Sequence, residues 1–286
     1  MKPKGDCGIC LLKWVYERAS LGLEENLRFK LTRDLSKVLE HKFHPTANLG
    51  SLCNELLSAI RTYVTHGIEH YKKLKKQINE TAAKILPLAN EFINNADSTE
   101  ERFKRACFLA SVSNVAPIGR PIGGFSFEEV KNIIEEKAPI PIVVGDLYKT
   151  FQAATHVLYV TDNAGEVGFD SLLIREIKNI GSKVTLVVKD EFFEDATIED
   201  AEFFSLNEII DDLVIVDGIF VPGKTSVPAD KAFWESDLIV AKGTGNFEAL
   251  AGESKGKCVV YMLKVKCDPV AANMGVEKGN FVIKVE

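Results

Sequence analysis

The chain has little that would commit it to a membrane, to nucleic acid or to an oxidising compartment. No stretch approaches the ~18 consecutive apolar residues of a membrane-spanning helix. The lysines at the start, Lys2 and Lys4, are followed by Lys13, Glu17 and Arg18. A clean apolar signal core is therefore missing. Basic excess is missing too: 35 Lys and Arg stand against 41 Asp and Glu, a net charge of −6. That removes the electrostatic footprint of a dedicated nucleic-acid binder. Six cysteines, of which only Cys7 and Cys10 are closely spaced, are too sparse for a disulfide framework. No internal repeat and no low-complexity tract interrupts the chain. These absences point to a cytoplasmic protein with reduced thiols.

What is present is ordinary for a globular chain. Hydrophobic residues make up 46% and charged residues 27% of 286, which argues against global disorder. The length suits about two domains. The first half reads as helices. Apolar residues recur at helical steps over Cys7 to Ser20, Leu52 to Tyr63 and Ile68 to Ile93, the last with an expected break near Pro87. Thr99-Glu100-Glu101 opens a further helix with acidic residues in its first turn. That helix ends before Ser113-Asn114 and a Pro/Gly-rich run from Pro117 to Gly124.

The second half changes character. Short β-branched runs fall at Val157–Val160, Val184–Val188, Leu213–Val216, Leu238–Ala241, Val259–Leu263 and Phe281–Val285. A helical pattern from Glu166 to Ile180 stops at Gly181, and short helices fit near Ile198 to Phe204 and Leu206 to Ile210. Continuous apolar strands alternating with helices predict an α/β protein. Its sheet is expected to be doubly wound, mainly parallel and Rossmann-like, preceded by an all-helical domain. The expected boundary lies near Ala138-Pro139-Ile140-Pro141: residues 1–140 as a helical cap and 141–286 as the α/β domain.

In such sheets ligands bind beyond the carboxyl ends of the strands. The residues just after successive strands are Asp162-Asn163-Ala164-Gly165-Glu166, Lys189-Asp190 with Asp195, Asp217-Gly218, Lys242-Gly243-Thr244-Gly245-Asn246, and Lys264-Val265-Lys266. One strand-end Asp is commonly only a helix cap. Carboxylates, amides and lysines converging on one edge suit a divalent cation together with an anionic substrate. Lysines and glycine-rich backbone suit phosphate.

These ordered motifs resemble the metal-dependent damage-control phosphatases, formerly domain of unknown function eighty-nine. Cys7-Gly8-Ile9-Cys10 resembles the start of the prokaryotic and archaeal subgroup. The resemblance implies a metal held by Asp162, Asn163 and Asp195, and a phosphate contact from Lys266. It aligns the family's Lys-Gly-x-x-Asn loop with Lys242 to Asn246, so that Lys242, Gly243, Gly245 and Asn246 become substrate-binding candidates. The family's Gly-Asn-x-x-Asp cap element reads Ser113-Asn114-Val115-Ala116-Pro117 here, retaining Asn114 alone. Of the Arg-Thr-x-Lys signature of the eukaryotic protein-methyltransferase branch, only the last residue is kept, in Leu263-Lys264-Val265-Lys266. The implied activity is hydrolysis of small phosphorylated metabolites, sugar phosphates or phosphopantetheine-type compounds. The implied cofactor is Mn²⁺, Mg²⁺, Co²⁺ or Ni²⁺. Asp162 and Glu166 are the expected catalytic carboxylates, Glu166 as a base or water-orienting group. A first-turn helix Glu is the plainer alternative.

Three other readings compete. Asp162-x-x-Gly165-x-x-Gly168 loosely imitates the nucleotide loop of an S-adenosylmethionine-dependent methyltransferase. An aspartyl-phosphate phosphatase would need an Asp where Ala164 stands. A non-enzymatic, metal-dependent phosphometabolite-binding module would show binding without turnover. Cys7 and Cys10, at i and i+3, could serve a second metal site, a redox pair or the helix itself. His66 and His70, four apart, are expected on a solvated helix face.

Overall fold

The structure is a computed structural model that describes residues 1–64, 67–115, 126–190 and 193–286. The run Pro117–Gly124, residues Ala116 and Pro117 of the cap element, and His66 lie outside the described residues. Among the described residues, six helices precede the first strand: α1 (Gly5–Ala19), α2 (Glu25–Lys42), α3 (Leu49–Ile60), α4 (Ile68–Asn94), α5 (Thr99–Val112) and α6 (Glu128–Ile134). Strands and helices then alternate: β1 (Ile142–Val144), α7 (Leu147–Ala153), β2 (His156–Val160), α8 (Glu166–Asn179), β3 (Lys183–Lys189), α9 (Ile198–Phe203) and β4 (Asp212–Val216). The chain continues through α10 (Val227–Glu235), β5 (Leu238–Lys242), α11 (Gly243–Leu250), β6 (Cys258–Lys264), α12 (Asp268–Met274) and β7 (Phe281–Val285).

The strands form one seven-stranded sheet in the order β1-β7-β6-β5-β2-β3-β4. Every neighbouring pair is parallel except β6 with β7. The fold class expected from the strand pattern is therefore present, with one antiparallel pair added near the β1 edge. After β2 the chain moves outward to β3, whereas after β5 it moves the other way to β6. The seam between β2 and β5 is thus a topological switch point, where a crevice opens beyond the carboxyl ends of both strands.

Central strands β2 and β5 are buried almost throughout. This explains why their sequences are continuously apolar rather than alternating. Helix α5 carries buried Ala106, Cys107, Leu109, Ala110 and Ser111, and packs against α8, β6 and β7. The small side chains let it approach both helix and sheet closely. Its N-terminus is capped by Ser98, whose Oγ accepts from the Glu101 amide at 3.1 Å. Its other end delivers Asn114 to the crevice. The buried apolar residues of the helical half and of the sheet form one continuous cluster.

Two helical features depart from expectation. Helix α2 was hidden by its charge, although Leu27, Leu31 and Leu35 recur four apart and the last two are buried. Helix α4 runs unbroken through Pro87. The ring lies on the exposed face, while Ile85, Ala89 and Ile93 on the opposite face are buried and hold the helix to the core. Core packing outweighs the lost backbone hydrogen bond. Replacing Pro87 by Ala is expected to raise unfolding free energy by about 1–3 kcal/mol. Denaturant unfolding measures this; a lower stability would contradict the account.

Candidate active site

The backbone joins the loops after β2 and β3. The Ala196 amide donates to the Asp162 carbonyl at 2.9 Å, and the Ala164 amide to the Glu194 carbonyl at 2.8 Å. Asn163 and Asp195 form an isolated antiparallel bridge. Thr161 anchors the first loop, its hydroxyl donating to the Val187 carbonyl at 2.8 Å. Asp162, Asn163 and Asp195 are thereby brought together. The third side of the crevice comes from β5 and α11. Gly243 has φ +77°, and a Cβ there would overlap the Asp162 carboxylate. Only glycine allows this approach. Asn246 ties α11 to β2 by donating to the carbonyls of Thr161 at 2.9 Å and Lys242 at 2.7 Å.

Asp162 Oδ2 accepts from the amides of Asn114 and Asn163, both at 2.9 Å. The same two amides reach the Glu166 carboxylate, Asn163 at 2.8 Å and Asn114 at 3.0 Å. Asn114 Oδ1 in turn accepts from the Lys264 amide at 3.2 Å, which locks the side chain across the sheet. Lys189 Nζ lies 2.7 Å from Asp195 Oδ1 and 3.6 Å from Asp162 Oδ1. Fully buried Lys242 donates to Asp170 Oδ1 at 2.6 Å, and its Nζ stands 3.9 Å from Glu166. Tyr159 donates to the same Asp170 oxygen at 2.7 Å. On the other side Arg18 of α1 pairs with Glu194 in a buried contact.

A cavity of about 140 Å³ sits over this network. Asp162, Asn163, Asp195, Lys189, Lys266, Thr244 and Gly245 line it, and Trp14, Arg18 and Cys10 of α1 form its far wall. Several expected site residues stand behind the cavity instead. Glu166, Lys242 and Asn246 are fully buried, and with Asn114 and Gly243 they support the side chains that face it. The segment from Gly243 to Asn246 is the first turn of a helix rather than a loop.

Burial governs the protonation of the cluster. It pushes the Glu166 carboxyl up to about 8, with the Asp162 charge adding to the effect. Asp195 and Asp170 are likewise raised by burial, which Lys189 and Lys242 respectively only partly offset. Burial alone would depress the Lys189 ammonium, but Asp195 and Asp162 outweigh it and raise it. Lys266 is lowered by burial, and no hydrogen bond or ion pair within the described residues holds its Nζ. It is therefore open to an anion.

Asp162, Glu166, Asp170, Glu194 and Asp195, with Glu248 on the cavity wall, share the cluster with Arg18, Lys189, Lys242 and Lys266; burial raises Glu166 to about 8 and Glu248 to about 7. No three of His, Cys, Asp and Glu among the described residues are arranged to hold a metal ion. The available donor set is accordingly two carboxylates and one amide. Asn163 Oδ1 accepts no hydrogen bond within the described residues, and Asp162 and Asp195 open on the same cavity. This all-oxygen set fits a hard divalent cation.

Of the cysteine pair, Cys10 lines the cavity and Cys7 does not. Cys7 is buried in the first turn of α1, where its sulfur accepts from the Lys4 amide at 3.4 Å. The Cys10 thiol is raised by burial, by Glu248 and by Cys7, the opposite of an activated redox thiol. All six cysteines are free. Gly168, which suggested a nucleotide loop, packs its backbone against the Phe204 ring inside α8. Asp217 pairs with Arg61 at the surface. Sequence reading gave no site role to Arg18, Asp170 or Thr244, and Lys189 appeared only as a strand terminus. A signal existed for two of them: Arg18 interrupts the apolar face of α1, and Asp170 follows Glu166 by one helical turn.

Fold and cavity together define a mixed α/β protein with carboxylates, amides and a free lysine at a switch point, a set suited to phosphoryl chemistry. The model of the damage-control phosphatase ARMT1-like domain matches residues 4–282, and the chain belongs to that family. It is 34% identical to a damage-control phosphatase of Archaeoglobus fulgidus, covering 100% of this chain and 99% of the other. An uncharacterized protein of Methanocaldococcus jannaschii is 31% identical, over 99% and 95% of the two chains. The crystal structure of a DUF89 family protein from Pyrococcus horikoshii superposes with TM-score 0.81 at 25% identity, covering 99% of this chain and 98% of that one.

The raised Glu166 carboxyl fixes a sign. Its proton is held more tightly in the folded chain than in the unfolded one. Its favourable contribution is complete below about 4.5 and is lost as pH rises toward 8. With chelator present, Glu166→Gln should therefore gain stability relative to the parent across that window. Thermal unfolding as a function of pH measures the difference; a constant difference would contradict the assignment.

Proposed function

We propose that the chain is a divalent-metal-dependent phosphomonoester hydrolase acting on small phosphorylated metabolites, in a damage-control role. One observation carries the reading: Asp162, Asn163 and Asp195 line the same small cavity as Lys266, in a chain of the damage-control phosphatase family. The free cysteines support a reducing, cytoplasmic setting. Among the described residues no helix is long and apolar enough to cross a membrane.

Asp162, Asn163 and Asp195 would hold the ion, and the hard oxygen donors suit Mg²⁺ or Mn²⁺, with Co²⁺ and Ni²⁺ as further occupants. When bound, such an ion supplies Lewis-acid polarisation of a phosphoryl oxygen and lowers the pKa of a coordinated water. The protein's own groups do the rest. Lys266 faces the cavity without a partner and neutralises charge on the phosphoryl oxygens. Thr244 and Gly245, at the start of α11, line the same cavity. Glu166 does not face the cavity; it orients the Asn114 and Asn163 amides that hold Asp162, and so acts as a positioning residue. Lys242, clamped by Asp170, supplies the compensating charge behind it.

Phosphate release from a panel of sugar phosphates and cofactor phosphates, with each divalent metal and with chelator, tests the reading. Asp162→Ala is expected to lower metal-dependent release by at least about 10³-fold while retaining its circular dichroism spectrum. Lys266→Met is expected to lower kcat/KM by about 10²-fold. Undiminished turnover in Asp162→Ala, or no release with any metal, would overturn it.

A further inference from the structure

Helix α11 presents to the strand-end cavity one carboxyl that the chemistry above leaves unused. Glu248 lines that cavity and is partly buried. Its backbone carbonyl accepts from the Met1 ammonium at 2.7 Å, but among the described residues its carboxylate has no hydrogen bond and no ion pair. Helix α11 begins at Gly243, hard against Asp162. Glu248 follows five residues later, about 7.5 Å further along the helix axis.

The groups around it leave that carboxyl without a cation in the cavity. Its nearest companions are thiols: its charge raises Cys10 of α1 and Cys267 after β6, and it acts on Cys53 of α3 as well. All three line the cavity, and burial, the largest influence on each, favours the neutral thiol. Across the cavity Arg18 is taken by Glu194 and Lys189 by Asp195. Neither of these nor Lys266 weighs on Glu248; only the Met1 ammonium does, and burial outweighs it, so the carboxyl is pushed up to about 7. Glu253 and Glu286 act on Met1 itself. The cavity is thus polarised, with cation-binding oxygens and the Lys266 ammonium at one end and a lone carboxyl at the other.

We infer that Glu248 is a specificity-determining residue, which admits phosphate esters whose alcohol portion ends in a hydroxyl and rejects those that carry a second anionic group there. The inference rests on the phosphatase reading of the same cavity. With the phosphoryl group at Asp162 and Lys266, a three- or four-carbon chain spans the distance to Glu248. A terminal hydroxyl donates to the carboxylate. A terminal carboxylate or second phosphate meets a like charge in a confined space, with no free cation between them.

Isothermal calorimetry with Mg²⁺ at about pH 8.5, where Glu248 is ionised, tests this with two pairs of uncleavable phosphonates. One pair mimics glycerol 3-phosphate and 3-phosphoglycerate, the other erythritol 4-phosphate and 4-phosphoerythronate. Within a pair only the terminal group differs, hydroxymethyl or carboxylate, so titrations common to both cancel in the ratio of Kd values. In at least one pair the parent should bind the hydroxymethyl member about tenfold or more tightly. Glu248→Gln, neutral and of the same shape, should cut that ratio by about tenfold while keeping its circular dichroism spectrum. In the parent the ratio should also shrink as pH falls through about 7, because the carboxyl then takes up a proton; loss of the Met1 charge at higher pH acts in the same direction. An unchanged ratio in Glu248→Gln, a parent ratio that ignores pH, or tighter binding of the carboxylate members would overturn the proposal. No binding of either pair up to about 10 mM would overturn it together with the phosphatase reading. Binding with the predicted ratios but no phosphate release from the parent esters would overturn the hydrolase reading alone.

Discussion

The carboxylate of Asp162 is the point on which the architecture converges. It lies just beyond β2, at the seam where the two halves of the sheet wind apart. Each neighbour reaches it from a different element: Asn114 from the end of α5, Asn163 from its own loop, Lys189 from the end of β3. Gly243, between β5 and α11, leaves no side chain where that carboxylate sits. Each contact requires the element behind it to be in register. The long helical segment before the sheet is therefore part of the site: without α5, Asn114 has no route to the crevice, and without α1 the far wall of the cavity is gone.

The same convergence sets the protonation of the cluster. Burial penalises every charge in the cluster, and it holds the Glu166 carboxyl protonated up to about 8. Lys189 and Lys242 each answer one acid directly, Asp195 and Asp170. Glu166 receives only amide hydrogen bonds at close range and carries a raised carboxyl. A divalent cation would be held by Asp162, Asn163 and Asp195 and would leave Lys266 free for an anion. On this view the network is poor as a purely structural device, since replacing buried ions by apolar groups is often neutral or stabilising. Its retention of open oxygens makes sense as a binding site.

Much of this was legible in the sequence. The six apolar strand runs after residue 156 fall on β2 to β7, because buried parallel strands need continuous apolar residues. The sheet rule placed Asp162, Asn163, Asp195 and Lys266 among a wider set of strand-end residues that included Asp190 and Asp217; the family resemblance then singled out those four. The supporting layer was harder to see. Lys189 closes a strand and looks like an ordinary end residue. Arg18 comes from α1 and meets Glu194 only through tertiary packing. Lys242 sits in a motif that suggests phosphate contact, yet Asp170, one turn after Glu166, draws it into the interior. Pro87 signalled a helix end, but local propensity yielded to the apolar face of α4. The short edge strand β1 carries only three residues and no alternating pattern to betray it.

The central claim is that the strand-end oxygens are a cation site. Thermal unfolding with and without Mn²⁺, after chelator treatment, tests it without reference to any substrate. Saturating Mn²⁺ should raise the Tm of the parent by about 5 °C or more and leave a folded Asp162→Asn, Asp195→Asn double variant unshifted. An equal shift in both proteins, or none in the parent, would contradict the account.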